Sequence, residues 1–102
     1  MIELRRWTKN TLPTKLEILA YFSREKLSPH SWSNSPNYEY PIHDHSYTKV
    51  IFCLKGEIEF IIHPDKKSYN LNPGDKLVVS TGTSHSAIVG HQGVTCIEAV
   101  KY

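Results

Sequence analysis

Three histidines carry the chemistry this sequence most plainly offers. His43 and His45 stand two residues apart in the stretch Pro41-Ile-His-Asp-His-Ser-Tyr-Thr-Lys-Val-Ile-Phe-Cys-Leu-Lys-Gly56, and His85 follows Gly82-Thr-Ser. Side chains at i and i+2 of a strand share a face, so His43 and His45 are expected to aim both imidazoles into one space at the start of a strand rich in β-branched and aromatic residues. His85, at the start of a later strand, is placed to join them. Neutral imidazoles are ligands for borderline divalent cations. The functional reading is therefore a three-histidine site for Zn, Fe, Ni, Cu or Mn, with positions left for water or a ligand. The plainer reading is a set of histidines that hydrogen-bond one another or a small molecule without metal.

Positioning three such side chains needs a framework, and the pattern supplies one. Residues 2–7 alternate apolar and charged and read as a short edge strand. Thr14-Lys-Leu-Glu17 is a capping box, and Leu16, Leu19, Ala20, Ser23 and Leu27 recur at helical steps, with Ile18, Tyr21 and Phe22 widening the apolar side. A helix is expected over about 14–27, although a strand through Leu16, Ile18, Ala20 and Phe22 fits part of the stretch. From His30 the period becomes two. Turns are expected at residues 33–37, 63–67, 72–75 and 90–93, with a tight hairpin at Lys55-Gly56-Glu57. Strand runs fall at 50–54, 58–62, 76–79, 86–89 and 94–100. Many short strands at short spacing imply antiparallel pairing in a sandwich or barrel.

The 102 residues make one domain, 1–102, and the edges of so small a sheet lead us to expect a homodimer. A net charge of +2, with both signs mixed along the chain, gives no electrostatic case for nucleic acid or anionic lipid. Apolar runs are only a few residues long and the start is charged, so no membrane segment is expected and the chain reads as soluble and cytoplasmic. Its two cysteines lack CxxC spacing and read as small buried hydrophobes. His30, His63 and His91 fall at a strand start or in turns and are expected to be exposed. Trp7 reads as packing for the helix. Trp32, Tyr38, Tyr40 and Tyr47 surround the first histidine pair, as core residues or as rings that stack on a ligand.

The order of these residues resembles the cupin superfamily. Its first signature, Gly, five residues, His-x-His, three or four residues, Glu, six residues, Gly, appears as Asn37, His43-x-His45, Lys49 and Gly56 with the spacing kept. The second, Gly, five residues, Pro-x-Gly, two residues, His, three residues, Asn, appears as Gly74, Ser80-x-Gly82, His85 and Val89. The two span residues 37–89, about half of the chain. The resemblance implies a mainly β, antiparallel jelly-roll β-barrel over about 30–102, preceded by one N-terminal α-helix. It also implies His43, His45 and His85 as metal ligands. Asn in place of the first Gly is mild, because Asn tolerates the left-handed backbone region.

Lys49 is the consequential departure, since it stands where the family places a metal-binding glutamate. A unit positive charge about 6 Å from a divalent ion costs about 5 kcal/mol at an effective dielectric near 20. Alternation offers a remedy: Cys96, Glu98 and Val100 share one face of their strand, so an inward Glu98 would neutralise Lys49 or stand in for the missing carboxylate. The same parity places Tyr47, Lys49, Ile51 and Cys53 on the side His43 and His45 face, provided no bulge intervenes. Lys49, Tyr47, Cys53 and Glu98 are thus the pocket candidates. Two functions compete, beside a third reading as a purely structural dimer that has lost its site. One is a three-histidine metal protein acting on or binding a small molecule, in which Lys49 or Tyr47 orients an anionic or carbonyl group. The other is a metal-free module that binds a small anion or sugar without turnover.

Overall fold

The computed structural model describes residues 2–102. In chain order it holds β1 (Ile2–Arg5), α1 (Lys15–Arg24), β2 (His30–Asn34), β3 (Glu39–His43), β4 (Thr48–Ile62), β5 (Lys67–Leu71), β6 (Lys76–Val79) and β7 (His85–Lys101).

The helix begins where the capping box places it. The Glu17 amide donates to Thr14 Oγ1 at 3.2 Å, and the Thr14 amide donates to Glu17 Oε1 at 2.9 Å. It ends sooner than expected, at Arg24, and Lys26 just beyond it takes a left-handed φ of 58°. The buried face also differs from the expected stripe. Ile18 and Phe22, one turn apart, are buried, while Leu16 is 79% exposed. Ile18 and Phe22 pack with Val50 and Phe52 of β4 and Ile97 and Ala99 of β7. Each fully buried side chain of this size contributes about 1.5–3 kcal/mol.

On β4 and β7 these helix-facing residues alternate with Ile51, Cys53, Val94 and Cys96, which belong to a second core cluster with Ile58, Phe60, Leu71, Leu77, Val79, Ala87 and Val89. The helix therefore covers the outer face of the sheet, and the second cluster fills the inside. β4 and β7 organise both halves of the sheet. One half runs β1-β6-β4-β7-β2; in the other, β5 pairs with β4 and β3 with β7, and all pairings are antiparallel. This is the expected jelly roll, with the difference that its sheet stays open where a full barrel would close.

Two expected turns are absent. Lys55-Gly56-Glu57 makes no hairpin and residues 90–93 do not end a strand; β4 and β7 continue through both. Between the pairs Gly56↔Val94 and Ile58↔Val89 the register shifts, so that residues 90–93 bulge opposite Glu57. Gly56 (φ 76°) and Gly93 (φ 80°) use left-handed backbone there, and a Cβ on Gly56 would lie 2.0 Å from the Gly93 carbonyl oxygen. Glycine is required because the two strands cross this bend in contact. The bend turns a long pair of strands into a shared wall of both halves. The other turns fall close to where expected, the first starting only after β2 has run through Ser33 and Asn34, with Asn37 in it at a φ of 64°.

Trp7 packs over the 72–75 turn: a Cβ on Gly74 would meet its ring at 2.3 Å. Buried Asp75 ties that turn to the N-terminal segment, accepting from the Trp7 amide at 2.9 Å and from Arg6 at 2.7 Å. No described helix is long and apolar enough to cross a membrane.

Candidate metal centre

His43 is the last residue of β3 and lies in register with His85, the first residue of β7. His45 is two residues further on, in the bend between β3 and β4, so strand alternation is not what brings it in. The loop does so instead. The ring centroids of His43 and His85 are 4.3 Å apart, those of His43 and His45 4.8 Å, and those of His45 and His85 5.4 Å. One nitrogen from each ring lies within 4.8 Å of the others. Three nitrogens about 2.1 Å from one ion stand about 3–3.5 Å apart, so the rings would have to draw closer to share one ion.

The hydrogen bonds fix the tautomers. His43 Nδ1 lies 2.7 Å from the Pro41 carbonyl oxygen and His85 Nδ1 lies 2.7 Å from that of Thr83. A carbonyl only accepts, so both Nδ1 atoms carry a proton, and in the neutral ring each Nε2 then presents the lone pair. His45 Nε2 is buried with no hydrogen-bond partner among the described residues. Leaving such an atom unsatisfied costs about 1–3 kcal/mol. A divalent ion between the rings would use all three lone pairs.

Burial, chiefly, pushes both His45 and His85 below the ordinary histidine value of 6.5, and the Lys49 charge and the neighbouring histidines push the same way. Both rings are held neutral, as ligation requires. The unfolded chain takes up these protons near pH 6.5 whereas the folded chain resists. The stability this contributes is complete above about pH 6.5 and lost as pH falls through the lowered folded values. Chelator-stripped protein should accordingly unfold at lower urea concentration at pH 5.5 than at pH 7.5. An unchanged midpoint would contradict the burial argument.

Lys49 and Glu98 meet inside the sheet. The Lys49 ammonium lies 3.3 Å from Glu98 Oε2, with the side chains 16% and 8% exposed. The register explains the contact. Ile51 pairs with Glu98 and Lys49 with Val100, so Lys49 and Glu98 are diagonal neighbours on one face. Glu98 also accepts from Trp32 Nε1 at 2.7 Å, and His30 Nε2 stands 3.7 Å away. The charge that Lys49 brings near the histidines is thus offset next to its source.

The other candidates separate. Tyr47 lies against His45, centroids 4.9 Å apart and planes 23° from parallel. Cys53 is wholly buried in the inner core, in register with Cys96, and lacks the solvent access a functional thiol needs. Hydrogen bonding with Cys53, and then burial, hold the Cys96 thiol far above its ordinary range. Of the histidines expected to be exposed, His30 and His91 are, whereas His63 is half-buried and bonded to Ser86 Oγ at 2.9 Å. Sequence reasoning missed Trp32 as a carboxylate donor, because only the β2–β7 register reveals it. It also missed the two orienting carbonyls, though each lies two residues before its histidine. A separate cavity of about 720 Å³, lined by Arg5, Trp7, Tyr21 and Lys76 among others, includes none of the three histidines.

Residues 28–97 match the family described as the cupin domain. No curated protein matches the chain. Among solved structures, a DUF861 family protein from Thermotoga maritima is 19% identical with a TM-score of 0.66, over 99% of this chain and 100% of that one. The DMSP lyase DddQ from Ruegeria pomeroyi is 22% identical with a TM-score of 0.67, over 74% of this chain and 38% of the lyase. KdgF from a Halomonas species is 18% identical with a TM-score of 0.60, over 74% of this chain and 70% of its own. At these identities the likeness is one of fold.

Proposed function

This chain belongs to the cupin domain family, and on that premise we propose that it holds one divalent transition ion on His43, His45 and His85 and through it binds or transforms a small molecule. The observation that carries this reading is the buried Nε2 of His45, without a partner among the described residues, set beside two rings whose Nδ1 protons are committed to backbone carbonyls. Zn, Fe, Ni, Cu or Mn would suit such a donor set and would supply Lewis acidity or, for the redox-active metals, electron transfer. The chain's own part is orientation. The Pro41 and Thr83 carbonyls fix two rings, Tyr47 shields a face of His45, and Glu98 offsets Lys49. The fold alone does not choose a reaction, since a lyase and a coconut allergen share it.

The metal-free alternative, a floor for a small anion or sugar, draws support from the Lys49 ammonium. It meets an obstacle in the histidines. An anion needs donors, whereas neutral rings with Nδ1–H bound to carbonyls offer only acceptors at Nε2. The test is elemental mass spectrometry on untagged protein purified without chelator. Near one equivalent of a transition metal is expected. Protein that holds none, and takes up none on reconstitution, would overturn the metal reading.

A further inference from the structure

Lys49 has more donors than the protein uses. Its ammonium carries three N–H groups, and its one ion-pair or hydrogen-bond partner among the described residues is Glu98. Glu98 is the opposite case: Oε1 accepts from Trp32 and Oε2 faces both Lys49 and His30, in a side chain only 8% exposed. Both Glu98 oxygens are thus already engaged and neither is set aside as a metal ligand. Glu98 is built to hold Lys49 in place instead. Lys49 is the second residue of β4, four residues after His45, with its side chain on the face that carries Glu98.

With neutral histidines, and with Lys49 and Glu98 cancelling, the charge of a bound ion would have no anionic protein ligand. We propose that the pocket takes a small chelating carboxylate of the 2-hydroxy or 2-oxo acid type, its carboxylate spanning the ion and the two free N–H groups of Lys49. This rests on the metal reading above. A neutral sugar can accept from the ammonium through its hydroxyls but leaves the ion's charge uncompensated, whereas a carboxylate answers both at once. Lys49 becomes the group that selects charge, and Glu98 the group that positions it.

The experiment uses cobalt-loaded protein, whose visible d–d bands report ligands entering the metal's open positions. It is titrated with lactate and with lactamide, the neutral amide of the same shape. Wild type is expected to prefer lactate. Removing both charges together, in Lys49→Met/Glu98→Gln, avoids stranding either one, and the amide oxygen that replaces the carboxylate still offers an acceptor to Trp32. The double variant should bind cobalt as before and lose about tenfold or more of the lactate preference. Lys49→Arg should keep most of it. If wild type binds no cobalt, the metal reading itself fails. If cobalt binds but the lactate preference survives in the double variant, the carboxylate proposal is overturned and the metal site stands.

Discussion

Replacing His85 with alanine should strip the protein of stoichiometric transition metal while leaving it folded. His85 supplies one of three nitrogens and is itself 1% exposed, so no water-borne donor readily takes its place. Loss of an outer-shell partner typically costs a metal site 10–100-fold in affinity, and loss of a ligand from a set of three should exceed about 100-fold. The fold loses less. The Thr83 carbonyl gives up one hydrogen bond and contacts to the His43, His45 and Phe60 rings are removed, a cost of about 1–3 kcal/mol. Elemental analysis beside circular dichroism separates the two effects. A folded His85→Ala protein that retains an equivalent of metal would refute the three-histidine assignment.

The features legible in the sequence were those set by local rules. The capping box of Thr14 and Glu17 depends on four consecutive residues, and it formed. The facing of Lys49 and Glu98 follows from parity along strands that are regular between residues 48 and 53 and between 96 and 101, and the ion pair is there. What failed was the meaning of glycine. Gly56 and Gly93 have the positive φ of turn residues, but they lie opposite one another, where two strands bend together without reversing. A single strand's sequence cannot tell a hairpin from such a bend, because the difference lies in the partner strand. His45 shows the same limit. Its spacing from His43 suggested alternation along a strand, whereas a bend after β3 brings it beside His43 and His85. The residue types were sufficient to place the three histidines together, and only the register could add Trp32 to Glu98.

That register makes the loss of Glu98 costlier to the fold than the loss of Lys49. In Glu98→Ala the Lys49 ammonium, 16% exposed, keeps its charge without its counter-ion, and the Trp32 indole loses its acceptor. Breaking a buried pair from one side costs about 3–5 kcal/mol, because the stranded charge has neither partner nor full hydration. Lys49→Met should cost less, since Glu98 retains Trp32 and has His30 nearby. The variant with both changes, Lys49→Met/Glu98→Gln, should be more stable than Glu98→Ala, because a buried pair removed whole leaves no orphan. Urea unfolding of the wild type, Lys49→Met, Glu98→Gln and the double variant closes a cycle. A coupling above about 1 kcal/mol is expected for groups in contact. Additive costs would mean that the two charges do not sense each other, and Glu98 would then not be what reconciles Lys49 with a cation site. Metal uptake should move in step: the single Glu98 variants, with an uncompensated ammonium beside the histidines, should bind cobalt more weakly than the double variant, where neither charge remains.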